Sequence, residues 1–132
     1  MTPAPSPDLR ERVAAERDVW LATLLADGPP HLVPVWFVVV AVDWWIGTDA
    51  TSVKVGNVGR DPRVSLALPD ADAPVVVEGT ADILPAEFPV GVLDAFAAKY
   101  DGWDPTASWD GGGARVLLRV RIRRWLFAGT AH

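Results

Sequence analysis

The segment that decides the fold runs from Trp44 to Leu68 and reads W-W-I-G-T-D-A-T-S-V-K-V-G-N-V-G-R-D-P-R-V-S-L-A-L. Its apolar start stops at Gly47, a stretch of small and hydroxyl-bearing residues follows, and D-P-R at 61–63 precedes a second apolar run. This order predicts a strand, a turn, a short helix and another strand. Because the start of a helix presents backbone N–H groups and a favourable dipole, the turn is suited to an anion.

Three side chains of this turn are placed to face one bound phosphate. Thr48 and Ser52 supply hydroxyl groups, and Lys54 supplies a positive charge. The segment therefore predicts a site for a phosphorylated cofactor. An ordinary solvent-exposed turn is the alternative, because short motifs also arise by chance.

The length and composition indicate one compact domain. The 132 residues suffice for a sizeable core but not for two ordinary domains, so a single domain over residues 1–132 is predicted. Half of the residues are apolar and seven are tryptophan, which favours a well-packed interior. Residues 1–5 are expected to form a disordered leader.

The composition also excludes several kinds of site. The absence of cysteine excludes disulfides, thiolate metal ligands and a cysteine nucleophile. His31 is the one internal histidine, and no E-x-x-H or paired-carboxylate motif is present, so neither a metal site nor hydrolysis is expected. The chain has neither a signal-like N-terminus nor an apolar run long enough to span a bilayer, so a cytoplasmic protein without membrane contact is expected.

Charge is unevenly distributed along the chain. All 17 acidic residues precede residue 114, whereas five arginines follow it, and the net charge is −5. An acidic protein is poorly suited to nucleic acid, so no nucleic-acid partner is expected. The arginines alternate with apolar residues at 118–123, which predicts either a solvent-exposed strand face or a surface that attracts an anion.

Further strands and helices are predicted along the rest of the chain. Ser6 is placed to cap a helix that starts at Pro7 and ends near Asp18. Residues 31–42 form a strand that contains Pro34, so this strand should lie at a sheet edge or carry a bulge. Other strands are predicted at 19–26, 44–48, 63–68, 75–84 and 114–128, with helical segments at 51–59 and 88–100.

The connections between these strands are mostly short, which implies antiparallel pairing. About six strands in so short a chain favour a small closed barrel, so the predicted fold is mainly β with peripheral helices. A loop rich in glycine and proline at 101–113 contains Trp103 and Trp109, whose large side chains packing within the chain does not readily explain. These two are candidates to cover a bound ring or a substrate. Trp20 and Trp45 lie within apolar strands and are expected in the core or at a dimer interface.

Four motifs in the same order resemble the pyridoxamine 5′-phosphate oxidase-like, flavin-binding split-barrel superfamily. They are L-A-T-L followed by D-G-x-P-H-x-x-P-V-W-F, then W-x-G-T, then S-x-K-x-x-N-x-x-R-D-P-R-V-S-L, then V-V-V-E-G. The resemblance covers residues 19–84 strongly and the remainder loosely. The P-V-W and S-x-K-x-x-N patterns are most similar to the branch that uses the deazaflavin coenzyme F420.

This resemblance implies a six-stranded antiparallel split β-barrel that forms a homodimer, with one cofactor in each of two grooves at the subunit interface. Thr48, Ser52 and Lys54 would hold the cofactor phosphate, and Asn57 would brace the turn. The backbone of one strand segment would lie along the ring system, at Val33, Pro34, Val35 and Trp36. Val53 stands where the family often has arginine, so Lys54 would carry the positive charge alone or with help from Arg60.

The resemblance further implies an oxidoreductase that transfers hydride between bound coenzyme F420 and a small organic acceptor, with FMN as the alternative cofactor. The cofactor would supply the chemistry, so no catalytic side chain is assigned. A second hypothesis is a protein of the same fold that holds a flavin, haem or tetrapyrrole without turnover. If F420 is bound, the C-terminal arginines are placed to attract its glutamate tail.

Overall fold

The computed structural model describes residues 5–108 and 111–130. Within these ranges the chain forms one seven-stranded antiparallel sheet and three helices. The elements are α1 (Pro7–Ala15), β1 (Asp18–Leu24), β2 (Pro30–Trp36), β3 (Val38–Val40), β4 (Asp43–Asp49), α2 (Val53–Arg60), β5 (Arg63–Ala67), β6 (Val75–Leu84), α3 (Val90–Lys99) and β7 (Arg115–Ala128).

The sheet curls until its two edges meet. Its strand order is β2-β1-β5-β6-β7-β4-β3, so β2 and β3 are the edge strands. These two strands are nevertheless consecutive in the chain and are separated by Phe37 alone. The result is a half-barrel whose edges join at Phe37, which confirms the mainly β, split-barrel prediction.

The strand count differs from the sequence-based expectation for a local reason. Residues 31–42 were expected to form one strand, but the strand breaks at Phe37 and the chain then continues on the opposite edge of the sheet. Seven strands are therefore present in the described residues instead of six. The prediction for Pro34 is confirmed, because β2 lies at a sheet edge, where a residue without an N–H is tolerated.

Two apolar clusters hold the sheet. Inward-facing side chains of the strands fill the half-barrel, with Leu21, Ile46 and Leu118 fully buried. Helix α3 covers the outer face of β3, β4 and β7, where Trp45, Phe96 and Leu117 pack together. Because both faces of β4 are covered, the W-W pair at 44–45 is buried on both sides of the strand.

The positive charge at the C-terminal end of the sequence is largely balanced in space. Arg119 pairs with Asp43 at 2.7 Å, Arg121 with Asp82 at 3.1 Å, and Arg124 with Glu78 at 2.9 Å. Each acid comes from a strand next to β7 in the sheet. These contacts favour the interpretation of β7 as a solvent-exposed face that carries ion pairs of small energetic worth.

Helix α1 begins as expected and ends earlier. The Ser6 hydroxyl accepts a hydrogen bond from the Leu9 N–H at 3.2 Å, as a cap should. Glu16 is already extended, and β1 begins at Asp18, where the helix was expected to end. In the part of the chain that the structure describes, no helix is long and apolar enough to cross a membrane.

Candidate functional site

A groove of about 380 Å³ lies between the edge strand β2 and the start of α2. We call it the β2–α2 groove. It brings together the predicted phosphate-binding turn and the predicted ring-binding strand, although residues 37–47 separate them in the sequence. Its lining residues are Asp18, Pro34, Val35, Trp36, Gly47, Thr48, Lys54 and Trp103.

One end of the groove is built from hydroxyl groups and the first turn of α2. Thr48 is buried, and its Oγ1 lies 3.5 Å from the Oγ of Ser52. Ser52 has the extended backbone of an N-cap residue, yet its side chain accepts no hydrogen bond from α2. The N–H groups at the start of α2 are therefore left without the usual side-chain partner, which suits an anion.

Lys54 supplies a positive charge at the same end. Burial lowers the pKa of its ammonium group, the nearby positive charge of Arg115 lowers it further, and Asp49 opposes these effects. A half-buried ammonium next to a second cation is less stable than one in water. A bound anion would relieve both causes.

Asn57 and Arg60 lie at the other end of α2. The Asn57 amide is buried and donates to the hydroxyl of Thr23 at 3.0 Å, while Arg60 donates to the Asn57 side-chain oxygen at 2.5 Å. Arg60 also approaches the carbonyl of Leu24 at 3.4 Å. Asn57 thus connects α2 to β1, and its role in bracing the turn remains a prediction.

Arg60 is a different case, because the structure does not bring it to the β2–α2 groove. Six residues along the helix separate it from Lys54, which corresponds to about 9 Å along the axis. Val33 is also absent from the lining. It pairs with Leu21 and lies one residue before the segment that faces the groove. Of the four β2 residues expected along a ring, Pro34, Val35 and Trp36 line the groove.

The opposite end of the groove is an aromatic wall. The Trp36 ring is stacked on Tyr100, with centroids 4.5 Å apart and an interplanar angle of 4°. Trp103 meets Trp36 edge-on at 5.3 Å and Phe96 at 5.4 Å. Packing within the chain therefore does explain Trp103, contrary to the sequence-based argument, and the same residue also lines the groove. Trp109 lies outside the described residues.

A set of hydrogen bonds fixes the corner that carries Trp36. The Tyr100 hydroxyl accepts from the Phe37 N–H at 2.9 Å and lies 2.8 Å from the carbonyl of Arg17 and 2.9 Å from that of Phe37. Lys99 Nζ also donates to the Phe37 carbonyl at 2.9 Å. Burial lowers the pKa of Lys99 to about 8. The aromatic wall is thus anchored to the point where the two sheet edges meet.

Sequence reasoning missed the residues that join the loop after α3 to the groove. A Cβ at Gly47 would stand 2.5 Å from Pro105 Cβ and 3.3 Å from Trp103, so only glycine permits this close approach. Arg115 Nε donates to the Pro105 carbonyl at 2.9 Å. The W-x-G-T motif contained a signal for Gly47, but no local pattern connected Pro105 or Arg115 to this place.

The sequence and fold match known proteins. Residues 6–129 match the family model described as pyridoxamine 5′-phosphate oxidase. The conserved hypothetical protein Rv2991 from Mycobacterium tuberculosis is 28% identical, with a TM-score of 0.72, and the match covers 96% of this chain and 87% of that one. No curated protein matches the sequence.

Two more distant structures show the same fold. A protein described as an F420 reductase is 24% identical, with a TM-score of 0.67, over 86% of this chain and 94% of that one. HutZ, described as a haem storage protein from Vibrio cholerae, is 16% identical, with a TM-score of 0.71, over 93% of this chain and 92% of that one. At these identities the likeness concerns the fold.

Proposed function

This chain belongs to the pyridoxamine 5′-phosphate oxidase family, and on that premise we propose that it is an oxidoreductase that binds coenzyme F420 in the β2–α2 groove and passes hydride to a small organic acceptor. The observation that carries the proposal is the juxtaposition of Lys54 and the open start of α2 with an edge strand and an aromatic wall. A cofactor that has both a phosphate and a ring would contact the polar end and the aromatic end of the groove together.

The polar end of the groove suits the phosphate. Lys54 offers a charge-assisted hydrogen bond, and Thr48 and Ser52 offer hydroxyl donors within a few ångströms of each other. The unpartnered N–H groups of the first turn of α2 add donors that a serine cap would otherwise occupy. These groups would fix the position of the cofactor along the groove.

The aromatic end suits a flat ring. Pro34, Val35 and Trp36 lie on the edge strand, so one row of backbone groups points away from β1 and is available to ring nitrogens and oxygens. Trp36 and Trp103 give that end an apolar wall, and their mutual packing holds them in place. The bound deazaflavin would supply hydride transfer, so the chain itself needs to bind, orient and desolvate.

The choice of F420 over FMN is supported by two observations. The P-V-W motif lines the groove through residues 34–36, and the S-x-K-x-x-N motif lines it through Lys54. The F420 reductase among the structural neighbours has the same fold. FMN is the second candidate cofactor, since its phosphate and ring would use the same two ends.

Haem or tetrapyrrole binding without turnover is the competing function, because one structural neighbour is described as a haem storage protein. The described residues give it less support. His31 is the one described histidine, and it lines none of the larger cavities of the structure. A haem iron in this chain would lack a histidine ligand from the groove.

We also propose that the protein is a homodimer whose second copy completes the groove. Apolar side chains are exposed on the outer side of β1 and β2, with Trp20 39%, Leu32 59% and Trp36 36% exposed. Trp36 belongs both to this strip and to the groove. Light scattering should give twice the chain mass of 14.2 kDa; a monomer at micromolar concentration would contradict the dimer.

The experiment that tests the function compares the ligands directly. Purified protein is titrated with F420, FMN and haem while its tryptophan fluorescence is followed, and reduced F420 is then mixed with organic acceptors in stopped flow. We expect micromolar or tighter binding of F420 and acceptor-dependent reoxidation. Tight haem binding with no F420 binding would favour the competing function.

The Lys54→Ala variant tests the site. Loss of a charged hydrogen bond should weaken the binding of the phosphorylated cofactor by about 1.5–3 kcal/mol, which is roughly tenfold to a hundredfold. Arg60→Ala is the matched control, because Arg60 lies on the same helix and away from the groove. Equal affinities of wild type and Lys54→Ala would remove the assignment.

A further inference from the structure

The charge available in the β2–α2 groove does not match a phosphorylated ligand. Lys54 is the only cation among the lining residues, and Asp18 places a carboxylate in the same groove. Val53, next to Lys54, is apolar and 53% exposed. Because a phosphate group carries one to about two negative charges near neutral pH and Asp18 opposes the charge of Lys54, a second cation close to Lys54 would strengthen its binding.

The cation at the end of α2 and the cation at the aromatic end of the groove are engaged elsewhere. Arg60 is bound to Asn57 and to the Leu24 carbonyl at the far end of α2. Arg17 lies over the Trp36 ring at 4.9 Å, which is the aromatic end of the groove. Neither is placed beside Lys54.

Arg115 lies next to the wall of the groove, although it is not one of the lining residues. It is the first residue of β7 and pairs across the sheet with Asp49, the last residue of β4, directly after the groove residue Thr48. Its Nε is held by the Pro105 carbonyl at 2.9 Å, and Pro105 in turn packs on Gly47 in the groove wall. Its terminal nitrogens make no hydrogen bond to another described residue.

The electrostatics agree with this placement. Burial lowers the pKa of Lys54, and the positive charge of Arg115 lowers it further, which agrees with the strand register that sets Arg115 beside Asp49. The carboxylate of Asp49, which pairs with Arg115 across the sheet, already accepts hydrogen bonds from the N–H and hydroxyl of Thr51 and from the N–H of Gly113. Because the Asp49 carboxylate already accepts these hydrogen bonds, an anion that binds both Lys54 and Arg115 is favoured.

We propose that Arg115 is a phosphate-binding residue of this protein, which supplies the second positive charge beside Lys54 and is held in position by the Pro105 carbonyl. This inference rests on the proposed function, because it assigns the phosphate end of the same groove. It also couples the loop that carries Trp103 to the phosphate end, since Pro105 belongs to that loop.

The test uses ligand pairs that differ in the phosphate. Full-length wild type, Arg115→Gln and the control Arg60→Gln are titrated with FMN and riboflavin, and with F420 and its deazaflavin fragment that lacks the phosphate. We expect Arg115→Gln to weaken binding of the phosphorylated ligands roughly tenfold to a hundredfold, with riboflavin and the fragment changed less than about twofold. Arg60→Gln should leave all four affinities unchanged.

Other variants distinguish loss of the positive charge from disruption of the groove. Arg115→Lys keeps the positive charge and loses the rigid fork, so it should recover part of the lost affinity. Unchanged riboflavin binding by Arg115→Gln shows an intact groove. Equal weakening of both members of each pair would mean that Arg115 acts through the loop alone, and this would overturn the proposal.

Two more outcomes are decisive. If Lys54→Ala loses affinity for the phosphorylated ligands and Arg115→Gln does not, the proposed function stands and the role of Arg115 is wrong. If the wild type binds none of the four ligands, both are wrong.

Discussion

Removing one hydroxyl group at the corner of the half-barrel should destabilise the whole protein. Tyr100 is 4% exposed, and its hydroxyl accepts from the Phe37 N–H at 2.9 Å. It can donate its one proton to the carbonyl of Arg17 at 2.8 Å or of Phe37 at 2.9 Å. In Tyr100→Phe the ring remains stacked on Trp36, so the change isolates these hydrogen bonds.

The magnitude follows from the groups left behind. The buried Phe37 N–H left without a partner costs about 1–3 kcal/mol, and the lost hydrogen bond from the hydroxyl to a carbonyl adds about 1 kcal/mol. The carbonyl of Phe37 still accepts from Lys99 Nζ at 2.9 Å, so it is not orphaned. We expect a loss of about 2–4 kcal/mol in the free energy of unfolding, or a fall in Tm on the order of 10 °C for a domain of this size.

Urea unfolding followed by tryptophan fluorescence measures this loss. The wild type and the variant are compared at one protein concentration, because association also contributes to apparent stability. Ser108→Ala removes an exposed side-chain hydroxyl and should change the unfolding free energy by less than about 0.5 kcal/mol. If Tyr100→Phe is as stable as this control, the corner is not held by the hydroxyl and the reasoning fails.

Two further predictions concern stability. Gly79→Ala should lower the free energy of unfolding by about 3 kcal/mol or more, since the new Cβ would collide with the backbone carbonyl of Arg121 and approach Ile122 Cα at 3.2 Å. Gly91→Ala is the control and should be neutral or slightly stabilising, because a Cβ there meets nothing within 4 Å. Similar melting curves for the two variants would contradict the close packing at Gly79. The Lys99 pKa of about 8 lies below the value of 10.5 for an unfolded chain, so the unfolded state binds more protons between these values and the free energy of unfolding should rise with pH from 8 to 10. Because solvent still reaches the amine, we expect a rise of about 1–2 kcal/mol that Lys99→Met abolishes; parallel pH profiles of the two proteins would show that the lysine is not responsible.

Local sequence patterns predict much of the fold. Residues 75–84 form β6 with the predicted bounds, and Ser6 caps α1 as predicted, because alternation and capping depend on neighbours along the chain. Thr48, Ser52 and Lys54 come together for the same reason, since a single turn connects them. The motifs that gave the family resemblance lie in these local segments.

Only the tertiary structure decided how distant segments meet. The break at Phe37 depends on Tyr100, which is 63 residues away and bonds to it. The choice of Arg115 over Arg60 as the neighbour of Lys54, and the pairing of the β7 arginines with acids, depend on which strands lie side by side. Such contacts arise from strand register and loop packing, which bring together residues that share no period in the sequence. The chain by itself therefore determined most of its strands and the turn between β4 and α2, whereas the groove exists because the two sheet edges meet at Phe37.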